Sequence, residues 1–213
     1  MGFVSKDFGI VLREIDAGEN SKRYILLTKT HGKVVVFARG AKGANSKLSV
    51  PKLAYCEFVF YDGGQFLSLS QVSVVAQFGD ISGDYDAYCV AAFILEMADK
   101  MLLDNMECSA ALKLVMAAFS RLDRGASPKL VHGTFVVKML QNEGFFSKEL
   151  LLGEGFVPEV GMAVDYIMDA ANEKAFSFKA SEDVLEVLQC RALRFLREHV
   201  DVQLKSLGFF DFE

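Results

Sequence analysis

Along the first eighty residues the chain alternates apolar and polar positions with a period of two, and afterwards it does not. The alternation predicts strands over Phe8–Ile15, Arg23–Thr30, Lys33–Arg39, Tyr55–Tyr61 and Gln65–Val75. Turn chemistry separates them: Asp16-Ala17-Gly18-Glu19-Asn20, a tight hairpin at His31-Gly32, and Asp62-Gly63-Gly64. Only the Gly/Ala/Ser/Asn/Lys stretch from Gly40 to Ser49 lacks periodicity, and it reads as a loop. Five short strands with a turn signal at nearly every join predict a small closed β-barrel.

Beyond Asp80 the period lengthens to that of a helix. Ala87, Ala91, Ile94, Ala98 and Met101 make one apolar stripe, and Ala111, Val115, Ala118 and Leu122 make a second. Ser127-Pro128 predicts a cap and first turn for a helix to about Asn142. That segment is apolar on most sides, which places it in the middle of a bundle. Ser181, Glu182 and Asp183 open a last helix with its stripe at Val184, Leu188, Ala192 and Phe195. Between Phe145 and Lys179 only a short helix near Met162–Ala171 is predicted. The expected class is therefore α+β, with a five-stranded barrel over 1–79 and an all-α helical domain over 80–213.

Charge divides the chain at the same place. Residues 1–79 carry ten Lys/Arg against six Asp/Glu, and residues 80–213 carry thirteen against twenty-two. The net charge of −5 thus hides two opposite surfaces. Between Asn20 and Cys56 there are eight cations and no acid, where an even spread of the 28 acids predicts about five. These cations are Lys22, Arg23, Lys29, Lys33, Arg39, Lys42, Lys47 and Lys52. Cations without interleaved carboxylates attract polyanions, and nucleic acid is the expected ligand, whether single- or double-stranded DNA. In the third strand Lys33, Val35, Phe37 and Arg39 share one face, while Val34, Val36 and Ala38 suit a barrel interior. Cations alternating with an aromatic suit a strand that tracks phosphates and stacks bases; Phe37 could equally plug the junction with the helical part. Lys42 and Lys47 sit in a glycine-containing loop and are the expected leading phosphate contacts.

Other chemistry is sparse. His31, His132 and His199 stand far apart, outside any hydrolase, metalloprotease or dinucleotide motif. Gly40-Ala41-Lys42-Gly43 lacks the spacing of a phosphate-binding NTPase loop, so no catalytic residue, cofactor or enzyme activity is expected. The four cysteines, Cys56, Cys89, Cys108 and Cys190, form no metal or disulfide pattern and read as small buried thiols. No apolar run reaches the roughly 18 residues of a membrane span, and Met1–Lys6 has no secretory core, so a cytoplasmic location is expected. Arg191, Arg194 and Arg197 share one helix; they could grip an acidic partner peptide or pair with neighbouring acids. An adaptor without nucleic acid, its basic barrel docked on an acidic protein, is the alternative reading.

Specific residues carry a family likeness. Gly9-Ile10-Val11-Leu12-Arg13, Gly18-Glu19-Asn20, Leu26-Leu27-Thr28, Gly32-Lys33 and Ala38-Arg39-Gly40-Ala41-Lys42 followed by Ser46 resemble the RecO recombination mediators of bacteria. Phe135–Leu140 before Gly144 looks like that family's central helix, and Phe195-Leu196 through Leu207 like its C-terminal end. The resemblance implies an OB-fold followed by a helical domain, and a part in DNA repair and recombination. It implies binding and annealing of single-stranded DNA. It also implies loading of a RecA-type recombinase onto strands coated by single-stranded DNA-binding protein, together with a RecR-type protein. It further implies a pocket in the helical domain for the acidic tail of the single-stranded DNA-binding protein. Many members carry a four-cysteine zinc module after the central helix. This chain has no cysteine between Cys108 and Cys190, so a metal is not expected.

Overall fold

The computed structural model describes residues 3–43, 46–64, 66–153 and 157–210. Five strands come first: β1 (Phe3–Asp16), β2 (Ser21–Thr28), β3 (Lys33–Arg39), β4 (Ala54–Asp62) and β5 (Leu67–Gln77). Six helices follow: α1 (Tyr85–Met101), α2 (Ser109–Asp123), α3 (Pro128–Asn142), α4 (Lys148–Leu152), α5 (Pro158–Asp169) and α6 (Glu182–His199). By contacts the chain divides into two compact units, Met1–Gly79 with Leu102–Leu112, and Asp80–Met101 with Lys113–Glu213.

In the first unit the strands close a barrel in the order β1-β2-β3-β5-β4. All neighbours are antiparallel except β3 and β5, which meet in parallel at Val36–Leu67 and Phe37–Ser68. This closed Greek-key arrangement is the OB-fold. The period-two pattern explains its interior: Tyr24 and Leu26 of β2, Val34, Val36 and Ala38 of β3, Phe58 and Phe60 of β4 and Leu69 of β5 are all buried in one cluster. β1 is longer than the alternation predicts because it serves two partners. Gly9–Asp16 pairs with β2, and Phe3–Ile10 pairs with β4. The register shifts between Val11 and Arg13, a bulge that bends the strand round the barrel.

The β2–β3 connection is wider than the predicted two-residue hairpin, and it is held from β1. The buried Asp7 carboxylate accepts the Thr30 amide at 2.9 Å, the His31 amide at 2.9 Å and His31 Nδ1 at 2.7 Å. Burial alone pushes this carboxyl up, but the hydrogen bonds from Thr30 and His31 outweigh it and hold it well below the usual range. Gly32 closes the turn at φ +69°, with its Cα pressed against the Met106 carbonyl of the 102–112 segment.

In the second unit α3 is central, as its apolarity on most sides predicts, and every residue from Leu130 to Leu140 is buried. Gly133 lets α3 approach α6 closely: a Cβ there would lie 3.1 Å from Leu188 and 3.2 Å from the Gln189 amide. Three polar side chains of α3, His132, Thr134 and Lys138, share this interior. Lys138 donates to the Ile167 and Met168 carbonyls at 3.0 Å, terminating α5. His132 lies 4.3 Å from the Phe93 ring centre and 4.2 Å from that of Phe210, with Gln189 Nε2 2.7 Å from its Nδ1. Burial pushes its imidazole down to about 3, so it is neutral under ordinary conditions. Ser181 caps α6 by accepting the Val184 amide, as predicted. Ser127 does not do so for α3: its side chain makes no cap bond, and Pro128 alone sets the first turn. α5 begins four residues before its predicted start, and α4 was not predicted at all. Cys56, Cys89 and Cys108 are buried, but Cys190 is exposed, which corrects its reading as an interior thiol.

Candidate nucleic-acid interface

The outer face of β2 and β3 builds the site. Arg23 lies directly across from Phe37 in the antiparallel ladder, and Ser21 lies across from Arg39. With the small side chains of β3 turned inward, Phe37 and Arg39 must face out. The Arg23 guanidinium carbon sits 6.0 Å from the centre of the Phe37 ring, within reach of a cation–π contact. On the other side of Phe37, the Phe66 ring meets it edge-on at 5.2 Å. Phe66 enters from the β4–β5 turn, where Gly64 takes φ +88° and Asp62 accepts the Gly64 amide. Tyr61, which pairs with Ser68 in the β4–β5 ladder, completes the wall.

Together Phe37, Arg39, Tyr61, Gly63, Phe66 and Ser68 line an open groove of about 650 Å³. Phe66 is 56% exposed and Tyr61 47% exposed. Aromatic rings this open contribute little to a core, and their flat faces are available to planar ligands. Phe37 is half-buried by Phe66 and Arg23. Neither Tyr61 nor Phe66 was singled out by the charge pattern. The signal for them was their position flanking a diglycine turn, where an aromatic has little core to fill.

The nine expected contact residues separate into three groups. Arg23, Arg39, Lys47 and Lys52 have no carboxylate partner among the described residues, and of these Arg23 and Arg39 stand with Phe37 at the groove. Lys47 and Lys52 ride the β3–β4 connection. That connection is fastened by Tyr24, whose hydroxyl donates to the Leu48 carbonyl and accepts the Val50 amide.

Lys22 and Lys42 are already engaged by acids, and Lys22, across from the interior Ala38, lies on the face of β2 opposite to Arg23. Lys22 Nζ is 3.1 Å from Glu14, which holds its ammonium above the ordinary value. Lys42 Nζ is 3.0 Å from Asp16 and donates to the Gly18 carbonyl at 2.9 Å. The acids responsible precede the acid-free stretch, on β1, so a count within the stretch misses them.

Lys29 and Lys33 lie elsewhere. Lys29 follows the end of β2, six residues from Arg23 and so about 20 Å away along an extended strand. Lys33 is a correction: it is buried, 2.9 Å from Asp104, and its carbonyl accepts the Asn105 amide. It anchors the 102–112 segment to the hairpin, and its ammonium is turned away from solvent.

On α6, Arg191 and Arg194 line a second groove with Gly153, Glu186, Val187 and Cys190. Arg197 is exposed one turn on, outside that lining. Glu186 in the groove already pairs with Lys129 at 2.8 Å. No cluster of three or more His, Cys, Asp or Glu side chains suited to a metal occurs among the described residues. Among the same residues no helix is long and apolar enough to cross a membrane.

Comparison with known proteins agrees with this architecture. Residues 1–78 match a family model described as Recombination protein O N terminal, and residues 82–146 match one described as Recombination protein O C terminal. A DNA repair protein RecO of Acetivibrio thermocellus is 25% identical over 96% of this chain and 95% of its own length. One of Caldicellulosiruptor bescii is 31% identical over 66% of this chain and 59% of its own length. One of Bacillus velezensis is 34% identical over 64% of this chain and 53% of its own. The matches to the latter two therefore span less than two thirds of those proteins.

Proposed function

The chain belongs to the RecO family of DNA repair proteins, and from that premise we propose that its barrel binds single-stranded DNA in the groove beside Phe37. In this reading Arg23, Arg39, Lys47 and Lys52 neutralise phosphates, while Phe37, Phe66 and Tyr61 offer faces on which unpaired bases stack. A duplex keeps its bases stacked inside, so it would use the cations and leave the rings idle. Holding bases splayed on rings while the backbone charge is neutralised is also what annealing asks of a protein. It lowers the repulsion between two strands and leaves base edges open. The observation that supports this most directly is that three aromatic rings and two arginines converge on one open groove of the barrel. The groove at Arg191 and Arg194 suits an acidic peptide, and we assign it to the tail of the single-stranded DNA-binding protein. A RecR-type protein and a RecA-type recombinase complete the proposed mediator role, which needs no chemical step on the protein.

The test is a fluorescence-anisotropy titration of a labelled single strand at several salt concentrations. Four neutralised phosphates give a log–log slope of about −2.8. Phe66→Ala should weaken binding by roughly tenfold, since stacking on one ring contributes about 1–3 kcal/mol per base. It should leave the slope unchanged, whereas Arg39→Glu should flatten it. Affinity independent of salt, or indifferent to both changes, refutes the proposal and favours a protein-only adaptor.

A further inference from the structure

Two of the three rings of the groove, Tyr61 and Phe66, flank the β4–β5 turn. Asp62 and Leu67 pair across the two strands, so residues 63–66 form the loop between them. Gly64 turns the chain at φ +88°. A Cβ on Gly63 would lie 3.7 Å from the Tyr61 ring, so the backbone of the turn runs along that ring. Neither glycine has a side chain with which to anchor the loop, and Phe66 is exposed. Among the described residues the loop makes one hydrogen bond: the Gly64 amide donates to Asp62 Oδ1 at 2.7 Å. An aspartate that accepts the amide two residues on closes an Asx turn, and its charge strengthens the bond. Asp62 does not itself line the groove, although both its neighbours, Tyr61 and Gly63, do. Its carboxylate has no cation partner among the described residues, which leaves the Gly64 amide as its engagement.

We propose that Asp62 is a positioning residue for single-strand binding: by fixing Gly64 it holds Phe66 edge-on to Phe37 and so sets the rings on which bases stack. The inference rests on the groove being the single-strand site. The Phe66 and Phe37 rings meet at 5.2 Å with their planes 63° apart. That edge-to-face contact is favourable but small, and a loop with two glycines has many other conformations open to it. A turn released from Asp62 spends only part of its time in the binding shape, and apparent affinity falls with that fraction. Charge gives the opposite expectation. A carboxylate between two residues that line the groove repels phosphate, so on electrostatic grounds its removal tightens binding or leaves it unchanged. The sign of the effect therefore separates position from charge.

The experiment titrates a labelled single strand and a labelled duplex with the full chain, Asp62→Ala, Asp62→Asn, Phe66→Ala and the variant carrying both alanines. Asp62→Ala loses the acceptor and should weaken single-strand binding roughly fivefold. It should keep the log–log slope at about −2.8, because no phosphate contact is touched. Duplex binding, which leaves the rings idle, should not weaken. Asparagine keeps an oxygen in the same place, so Asp62→Asn should bind the single strand at least as tightly as wild type. In the Phe66→Ala background the loss of Asp62 should cost nothing further, since Asp62 acts through that ring. Equal binding by Asp62→Ala and Asp62→Asn would overturn the inference. So would a loss that persists without Phe66, or one that extends equally to duplex. Wild-type protein that binds no single strand at any salt defeats the groove itself; wild-type binding with an unaltered Asp62→Ala defeats only the positioning role.

Discussion

Replacing Asp7 with asparagine gives the most informative perturbation of the barrel, because one buried carboxylate organises a whole turn. Its oxygens accept the Thr30 and His31 amides and His31 Nδ1, and Oδ1 also accepts the Phe8 amide. An asparagine keeps the shape, but one of its terminal groups is a donor, and it faces donors. Losing two charge-assisted hydrogen bonds in a buried site should destabilise the barrel by about 2–4 kcal/mol at pH 5. The pH dependence separates this account from simple loss of packing. In the folded chain the carboxyl is held well below its ordinary value, so the unfolded chain binds the proton first as pH falls. The stabilisation is therefore fully present above about pH 4 and is lost below it. Between pH 5 and pH 3 the unfolded carboxyl, titrating near 3.9, takes up almost a full proton while the folded one stays ionised. At 1.36 kcal/mol per pH unit this removes about 1.2 kcal/mol from wild type and nothing from the variant. Urea unfolding at both pH values, followed by hydrogen exchange of peptides covering β2 and β3, measures the gap. The gap between wild type and Asp7→Asn should narrow by that amount at pH 3. A gap that stays constant or widens on acidification would show that the carboxylate charge does not hold the turn.

Three further substitutions test other contacts. Gly32→Ala combines φ +69° with a Cβ 1.8 Å from the Met106 carbonyl and should destabilise by roughly 3 kcal/mol; Gly18→Ala, at φ +83° but in open space, should lose only about 1 kcal/mol in the same thermal melt. Lys138→Met fills the same volume but strands the Ile167 and Met168 carbonyls, and should lower stability by about 2–3 kcal/mol in chemical denaturation. Glu96→Ala removes the acceptor of the Lys205 and Ser206 amides, so limited proteolysis should cut the segment after Val200 much faster while the barrel peptides stay protected.

The barrel was legible where neighbours in sequence are neighbours in space, and obscure where they are not. Alternation exposed the inner and outer faces of β3 because a strand's two faces are a local property, and the inward set Val34, Val36 and Ala38 is buried as the pattern required. The first five residues of β1 were missed because their partner is β4, some fifty residues away, and nothing local distinguishes them from a tail. α3 was recognised by apolarity on most sides, yet the polar remainder gave no sign that His132, Thr134 and Lys138 are interior groups. A periodic stripe marks what faces inward only when something faces outward.

Charge was the least transferable quantity, and Lys33, Lys42 and Arg39 show why. All three lie in an acid-free run and contribute equally to its count. In space Lys33 meets Asp104, more than seventy residues on, and is buried; Lys42 meets Asp16 at the end of β1; Arg39 faces a groove with no acid partner among the described residues. Coulomb energy falls with distance in three dimensions, and a run of residues specifies distance only along the chain. An excess of cations in sequence therefore bounds the field of a surface from above. How much of that field reaches a ligand depends on which carboxylates the fold returns to the cations, as Asp16 is returned to Lys42 and Asp104 to Lys33 while Arg39 is left to the groove.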